Sequence, residues 1–132
     1  MNGARFLLDT NYVLGLVKRR EEVIRVVTDR SIEIQGCAYS FITRIELLRF
    51  PMITQQEING IESVLTLMQY IPLTREIEDG VIALSRKYRL KVPDAIIAAT
   101  AKCLTLELLT AINLKTLLWK TYKKLKLCGR VF

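Results

Sequence analysis

The sequence contains no histidine. That removes Ser-His-Asp and Cys-His catalysis and leaves any acid–base chemistry to carboxylates, lysines, tyrosines or metal-activated water. Cysteine is scarce: Cys37, Cys103 and Cys128 are odd in number and far apart, with no Cys-x-x-Cys pair. A structural zinc site therefore has no support, and the thiols read as buried or idle. No apolar run approaches the roughly 20 residues of a membrane span. Asp9 interrupts the one apolar stretch near the start, so no secretory leader is expected and the chain reads as cytoplasmic. Linkers, repeats and low-complexity segments are also missing.

What is present is a chain of 132 residues, 51% of them hydrophobic. That suits one domain spanning 1–132, able to bury roughly two-thirds of its unfolded surface. Twenty Lys and Arg against 13 Asp and Glu give a net charge of +7. A basic surface favours a polyanion such as nucleic acid, or an acidic protein. Much of the excess lies near the end, in Lys115, Lys120, Lys123, Lys124, Lys126 and Arg130. Lys120, Lys123 and Lys124 share one face at helical spacing, either as nucleic-acid contacts or as a solvated face. Residues 113–132 read as a basic C-terminal helix and tail, with Leu114, Leu117, Leu118, Tyr122 and Leu125 forming its apolar stripe.

Short apolar runs alternate with longer helical patterns. Arg5–Leu8, Gln35–Tyr39, Tyr70–Leu73 and Glu107–Leu109 read as strands. Ile58, Ile61, Leu65 and Met68 form one amphipathic stripe, and Ile77, Val81, Leu84 and Tyr88 another. Such alternation predicts an α/β domain with a central, mostly parallel sheet of four or five strands flanked by helices. In open parallel sheets the functional crevice lies beyond the C-terminal ends of the strands.

Three acids stand in apolar company. Asp9 sits at the seam between the strand run of Phe6, Leu7 and Leu8 and the apolar face of Val13, Leu14, Leu16 and Val17. A charge there is costly unless a partner meets it. Glu46 follows a helix start at Ser40, which reads as an N-cap, and precedes the stop at Pro51. It lies close to the apolar stripe, although Thr43-x-x-Glu46 also fits a capping box. Asp94 follows Pro93 at the start of a helix that is apolar nearly all round, from Ala95 through Ala101. A first-turn acid complementing the helix dipole is the plain alternative there.

Taken together, LLDTN, TRIELL and VPDAIIAATA resemble, in order and spacing, the PIN-domain nucleases, and in particular the VapC-type toxins. The resemblance runs from Phe6 to about Leu117. It implies that Asp9, Glu46 and Asp94 gather at the C-terminal edge of the sheet, bind Mg²⁺ or Mn²⁺, and cut RNA. It further implies that Asn11, of the family's Asp-x-Asn, orients the metal shell. Thr10, Ser40, Thr43 and Thr110 match small hydroxyl positions nearby. A small VapB-like antitoxin and a homodimeric state are also implied. Hard divalent ions take oxygen ligands, and a cluster of carboxylates needs such an ion to offset its own repulsion.

The chain departs from the family after its fourth strand. Patterns such as TxD or TRNxKDF become LLTAINLKTL. With one extra residue at Ala111–Ile112, Asn113 matches the family Asn, Lys115 its Lys and Leu117 its Phe, and Thr116 replaces the acid. Without it, Ile112 stands where the acid belongs. The fourth carboxylate is absent in both alignments. This leaves open a weakened or inactive relative that binds RNA or a protein, against which stands the retention of all three acids and Asn11. A receiver-like signalling domain would want an acidic pair before the first strand's end and a late lysine after a strand, and neither is clear here.

Overall fold

The computed structural model describes residues 3–110. Within them four strands form one parallel sheet: β1 (Phe6–Leu8), β2 (Cys37–Ser40), β3 (Gln69–Ile71) and β4 (Glu107–Leu109). Their order is β3-β2-β1-β4, so β1 is central and carries its C-terminal end to the middle of the sheet. Phe6 pairs with Cys37 on one side, while Leu7 and Leu8 pair with Leu108 and Leu109 on the other. The mostly parallel α/β sheet expected from the sequence is present, with four strands among the described residues.

Successive strand residues point to opposite faces, and the sheet has a core on each. Leu7 and Ala38 face one way, onto Ile77 and Leu84 of α5 (Arg75–Tyr88) and the buried run of α6 (Val92–Leu104). Phe6, Leu8, Cys37 and Tyr39 face the other way. There they meet Tyr12 and Val13 of α1 (Thr10–Val17), Val23 of α2 (Glu21–Asp29), Leu47 of α3 (Phe41–Leu48), and Ile61 and Leu65 of α4 (Gln55–Leu65). Leu7 and Leu8 are wholly buried, each worth about 1.5–3 kcal/mol relative to exposure. No helix among the described residues is long and apolar enough to cross a membrane.

Strand limits shift from those expected. Ile34–Gly36 forms a short 3-10 turn, so β2 starts only at Cys37. β3 ends at Ile71 because Pro72, which follows it, has no N–H to give a neighbouring strand. The apolar stripes of α4 and α5 behave as their spacing predicts, with Ile61, Leu65, Ile77 and Leu84 buried. In α6 every residue from Ala95 to Ala101 is buried, as its composition requires. Cys37 is a core thiol, and desolvation pushes its pKa up to about 11, which suits the idle role read for it. The expected C-terminal helix and tail lie outside the described residues.

Candidate active site

Asp9 directly follows β1 and is the N-cap of α1: its backbone is extended and its Oδ1 accepts the Tyr12 N–H at 2.7 Å. The residue is 6% exposed. The charge at the seam is therefore met first by a helix N-terminus, whose free N–H groups and dipole favour an anion. Backbone bonds fix the same point in the sheet, since the Asp9 N–H donates to the Leu109 carbonyl and the Asp9 carbonyl accepts from Val13.

Glu46 arrives from the second strand. Ser40 ends β2 and caps α3, its hydroxyl accepting the Ile42 N–H at 3.2 Å. With Ser40 as the N-cap, Thr43 falls inside the helix, so the Thr43-x-x-Glu46 capping box does not form. Its failure is local geometry: Thr43 has no helix start to cap. The Glu46 carboxylate instead receives the Thr10 hydroxyl, with Oγ1 and Oε1 2.6 Å apart, and Thr10 lies 3.1 Å from the Thr43 hydroxyl. Asp94 arrives on the first turn of α6, next to Pro93. Its carboxyl is pushed above the ordinary carboxylate range, mostly by burial and then by the charge of Glu46, while Lys91 pulls partly the other way. Two of the three acids thus feel each other directly.

Asp9, Thr10, Asn11, Glu46 and Asp94 line one cavity of about 500 Å³. It opens at the C-terminal ends of β1 and β2, where a parallel sheet is expected to hold its site. Leu14 and Ile97 supply apolar wall, and Arg49 and Phe50 also line it. Arg49 and Phe50 were not singled out in the sequence; their only signal was a place between the end of the Glu46 helix and Pro51. Both are exposed, and Arg49 adds a cation to an otherwise acidic cavity.

The remaining expected residues fall elsewhere. Ser40 and Thr43 are wholly buried behind the cavity, and Thr43 reaches it only through Thr10. Thr110 follows β4 and is half-buried, but it does not line the cavity. Asn113 and Lys120, Lys123 and Lys124 lie outside the described residues.

In donor type the cavity fits a hard divalent cation: its ligating groups are carboxylate and amide oxygens, with no thiol or imidazole. The repulsion between Glu46 and Asp94 is the kind a bound cation relieves. Among the described residues, however, no three acids stand close enough to grip an ion as they lie. The fit is therefore one of chemistry and cavity, with side-chain movement required to close it.

The model of the PIN-domain family matches residues 6–111. Among solved structures, the chain is similar to one described as a toxin–antitoxin complex from Klebsiella pneumoniae. That match has 33% identity and a TM-score of 0.66, and covers 77% of this chain and 82% of the other. FitAcB from Neisseria gonorrhoeae matches at 26% identity with a TM-score of 0.61, over 78% of this chain and 84% of its own. DNA-bound VapBC from Salmonella typhimurium shares the fold, at 19% identity and a TM-score of 0.66, over 81% and 86% of the two chains. No curated protein sequence matches the chain.

Proposed function

Because this chain belongs to the PIN-domain family, we propose that it is a metal-dependent endoribonuclease of the VapC type, the toxin of a type II toxin–antitoxin pair. One observation carries the reading. Asp9 at the end of β1, Glu46 on α3 and Asp94 in the first turn of α6 come from three separate segments and line a single cavity. The toxin–antitoxin relatives support the partner, a small VapB-like antitoxin; a homodimeric, cytoplasmic toxin completes the proposal.

In this reading Asp9, Glu46 and Asp94 hold Mg²⁺ or Mn²⁺, and Asn11 adds a neutral oxygen donor. The ion supplies positive charge against the scissile phosphate and lowers the pKa of the attacking water. Arg49 offers a second cation to the RNA backbone from the same cavity. Leu14 and Ile97 keep part of the wall dry, which strengthens charge interactions inside. The buried N-cap bond to Tyr12 keeps the Asp9 carboxylate from turning away.

The test is hydrolysis of a single-stranded RNA with Mn²⁺ and with chelator. Cleavage should require the ion, be better with Mn²⁺ than with Mg²⁺, and disappear in Asp94→Asn. Added Mn²⁺ should raise the melting temperature of the unsubstituted protein by binding only its folded state. The rise should be much smaller in Asp94→Asn. Cleavage or an undiminished metal response in that variant would sink the three-carboxylate site. The missing fourth acid favours a second reading, a weakened or inactive relative that binds RNA or protein. Its signature is RNA binding without cleavage at any metal concentration. A small reading frame just upstream, encoding a DNA-binding antitoxin, would favour the toxin.

A further inference from the structure

The hydroxyls of Thr10 and Thr43 have no task in the chemistry above, yet they occupy a specific place. Thr10 is the first residue of α1, and Thr43 lies one turn before Glu46 on α3. A hydroxyl carries one hydrogen, and a carboxylate only accepts. The 2.6 Å contact therefore assigns the Thr10 hydrogen to Glu46 Oε1. The 3.1 Å contact then assigns the Thr43 hydrogen to Thr10. The result is a directed relay from Thr43 through Thr10 to Glu46. Its source is wholly buried, so solvent does not compete for it. Oxygen–oxygen distances near 2.6 Å are typical of bonds from a hydroxyl to a charged acceptor, which are stronger than neutral ones.

Glu46 needs such a hold. It shares its cavity with Asp9 and Asp94, and like charges repel. A flexible, half-buried glutamate on a helix flank would otherwise turn outward into water. We propose that Thr10 and Thr43 are positioning residues that keep the Glu46 carboxylate inside the acid cavity, so that a divalent cation has less side-chain movement to induce when it binds. This rests on the metal-site reading above and adds to it which neutral groups set metal affinity.

The alternative is that the two hydroxyls only tie α1 to α3. Mn²⁺ alone, titrated into the whole 132-residue chain and followed by calorimetry and melting temperature, separates the two. Thr10→Val, which keeps the shape and loses the hydroxyl, should weaken Mn²⁺ binding roughly tenfold, as loss of an outer-shell partner generally does. Thr10→Ser should restore it. Thr43→Val, which only orients Thr10, should weaken binding less but in the same direction. A Thr10→Val protein that melts lower in chelator yet binds Mn²⁺ as well as the parent would overturn the proposal, as would failure of serine to rescue. If Thr10→Val does not fold, unchanged Mn²⁺ affinity in Thr43→Val overturns it equally. Absence of Mn²⁺ binding by the unsubstituted protein is a separate result, and it removes the metal-site reading and this inference together.

Discussion

Asp94 is a single residue with two opposed accounts, and its titration separates them. A first-turn acid that served only the helix dipole would favour its charged form and contribute about 0.3–1 kcal/mol. Burial and Glu46 act the other way and raise its pKa. The folded state therefore holds the Asp94 proton more tightly than the unfolded chain does. Stability from this group is complete below the ordinary aspartate value of 3.8 and is lost as pH rises through the higher folded value. Other acids slope oppositely, Glu57 among them, since its bonds to Thr54 lower its pKa. The difference between Asp94→Asn and the parent isolates Asp94. Without metal, the variant should melt at or above the parent at neutral pH, and the gap should close or reverse as pH falls below the carboxylate range. Melting curves in chelator across that range decide it. A variant that melts lower at every pH would return Asp94 to the dipole role.

At the scale of elements, the close approach of α1 to α2 turns on Gly15. A Cβ there would stand 2.6 Å from Val23 Cγ2 and 3.2 Å from its Cβ. Valine is stiff at χ1 and cannot swing aside freely. Gly15→Ala gains about 0.8–1 kcal/mol of helix propensity, against about 1–3 kcal/mol for overpacking. A net loss of about 1 kcal/mol is expected. It should shrink or change sign in a Val23→Ala background, and denaturant unfolding of the four proteins measures that coupling. Additive effects would mean the helices are not held by this contact. Gly15 was silent in the sequence, since a glycine inside an apolar helix names no neighbour. Other element features were legible because they are local. The 3.6-residue stripes of α4 and α5, the Ser40 cap and the buried composition of α6 all depend on residues within a turn or two of each other. The carboxylates were legible as charges in apolar company. What met them was not: Tyr12 reaches Asp9 through a cap geometry, and Thr10 reaches Glu46 across 36 positions of chain. The Thr43-x-x-Glu46 pattern was the misleading local signal, because with Ser40 as the N-cap Thr43 stands inside α3.

For the whole molecule, charge is divided unevenly along the chain. Residues 111–132 carry six basic side chains and no acid, so of the net +7 only +1 belongs to residues 1–110. The part that holds the acid cavity is thus nearly neutral overall, while the polyanion attraction expected of a basic protein is concentrated in the last 22 residues. If RNA is the substrate, backbone affinity and cleavage chemistry are supplied by different parts of the chain and can be removed separately. Binding of a single-stranded RNA to the Asp94→Asn protein, which should not cut it, reports affinity alone. For single strands the slope of log affinity against log salt is about −0.7 per phosphate neutralised. Replacing Lys120, Lys123 and Lys124 with Ala should therefore flatten the slope by about 2 if all three meet phosphates. The loss should be alike for unrelated sequences, because phosphate contacts carry no base information. The same three substitutions should leave the Mn²⁺-dependent rise in melting temperature of the unsubstituted acid site in place. An unchanged salt slope would mean that the three lysines are a solvated face, and that the RNA backbone is met by cations nearer the cavity, with Arg49 the first to replace.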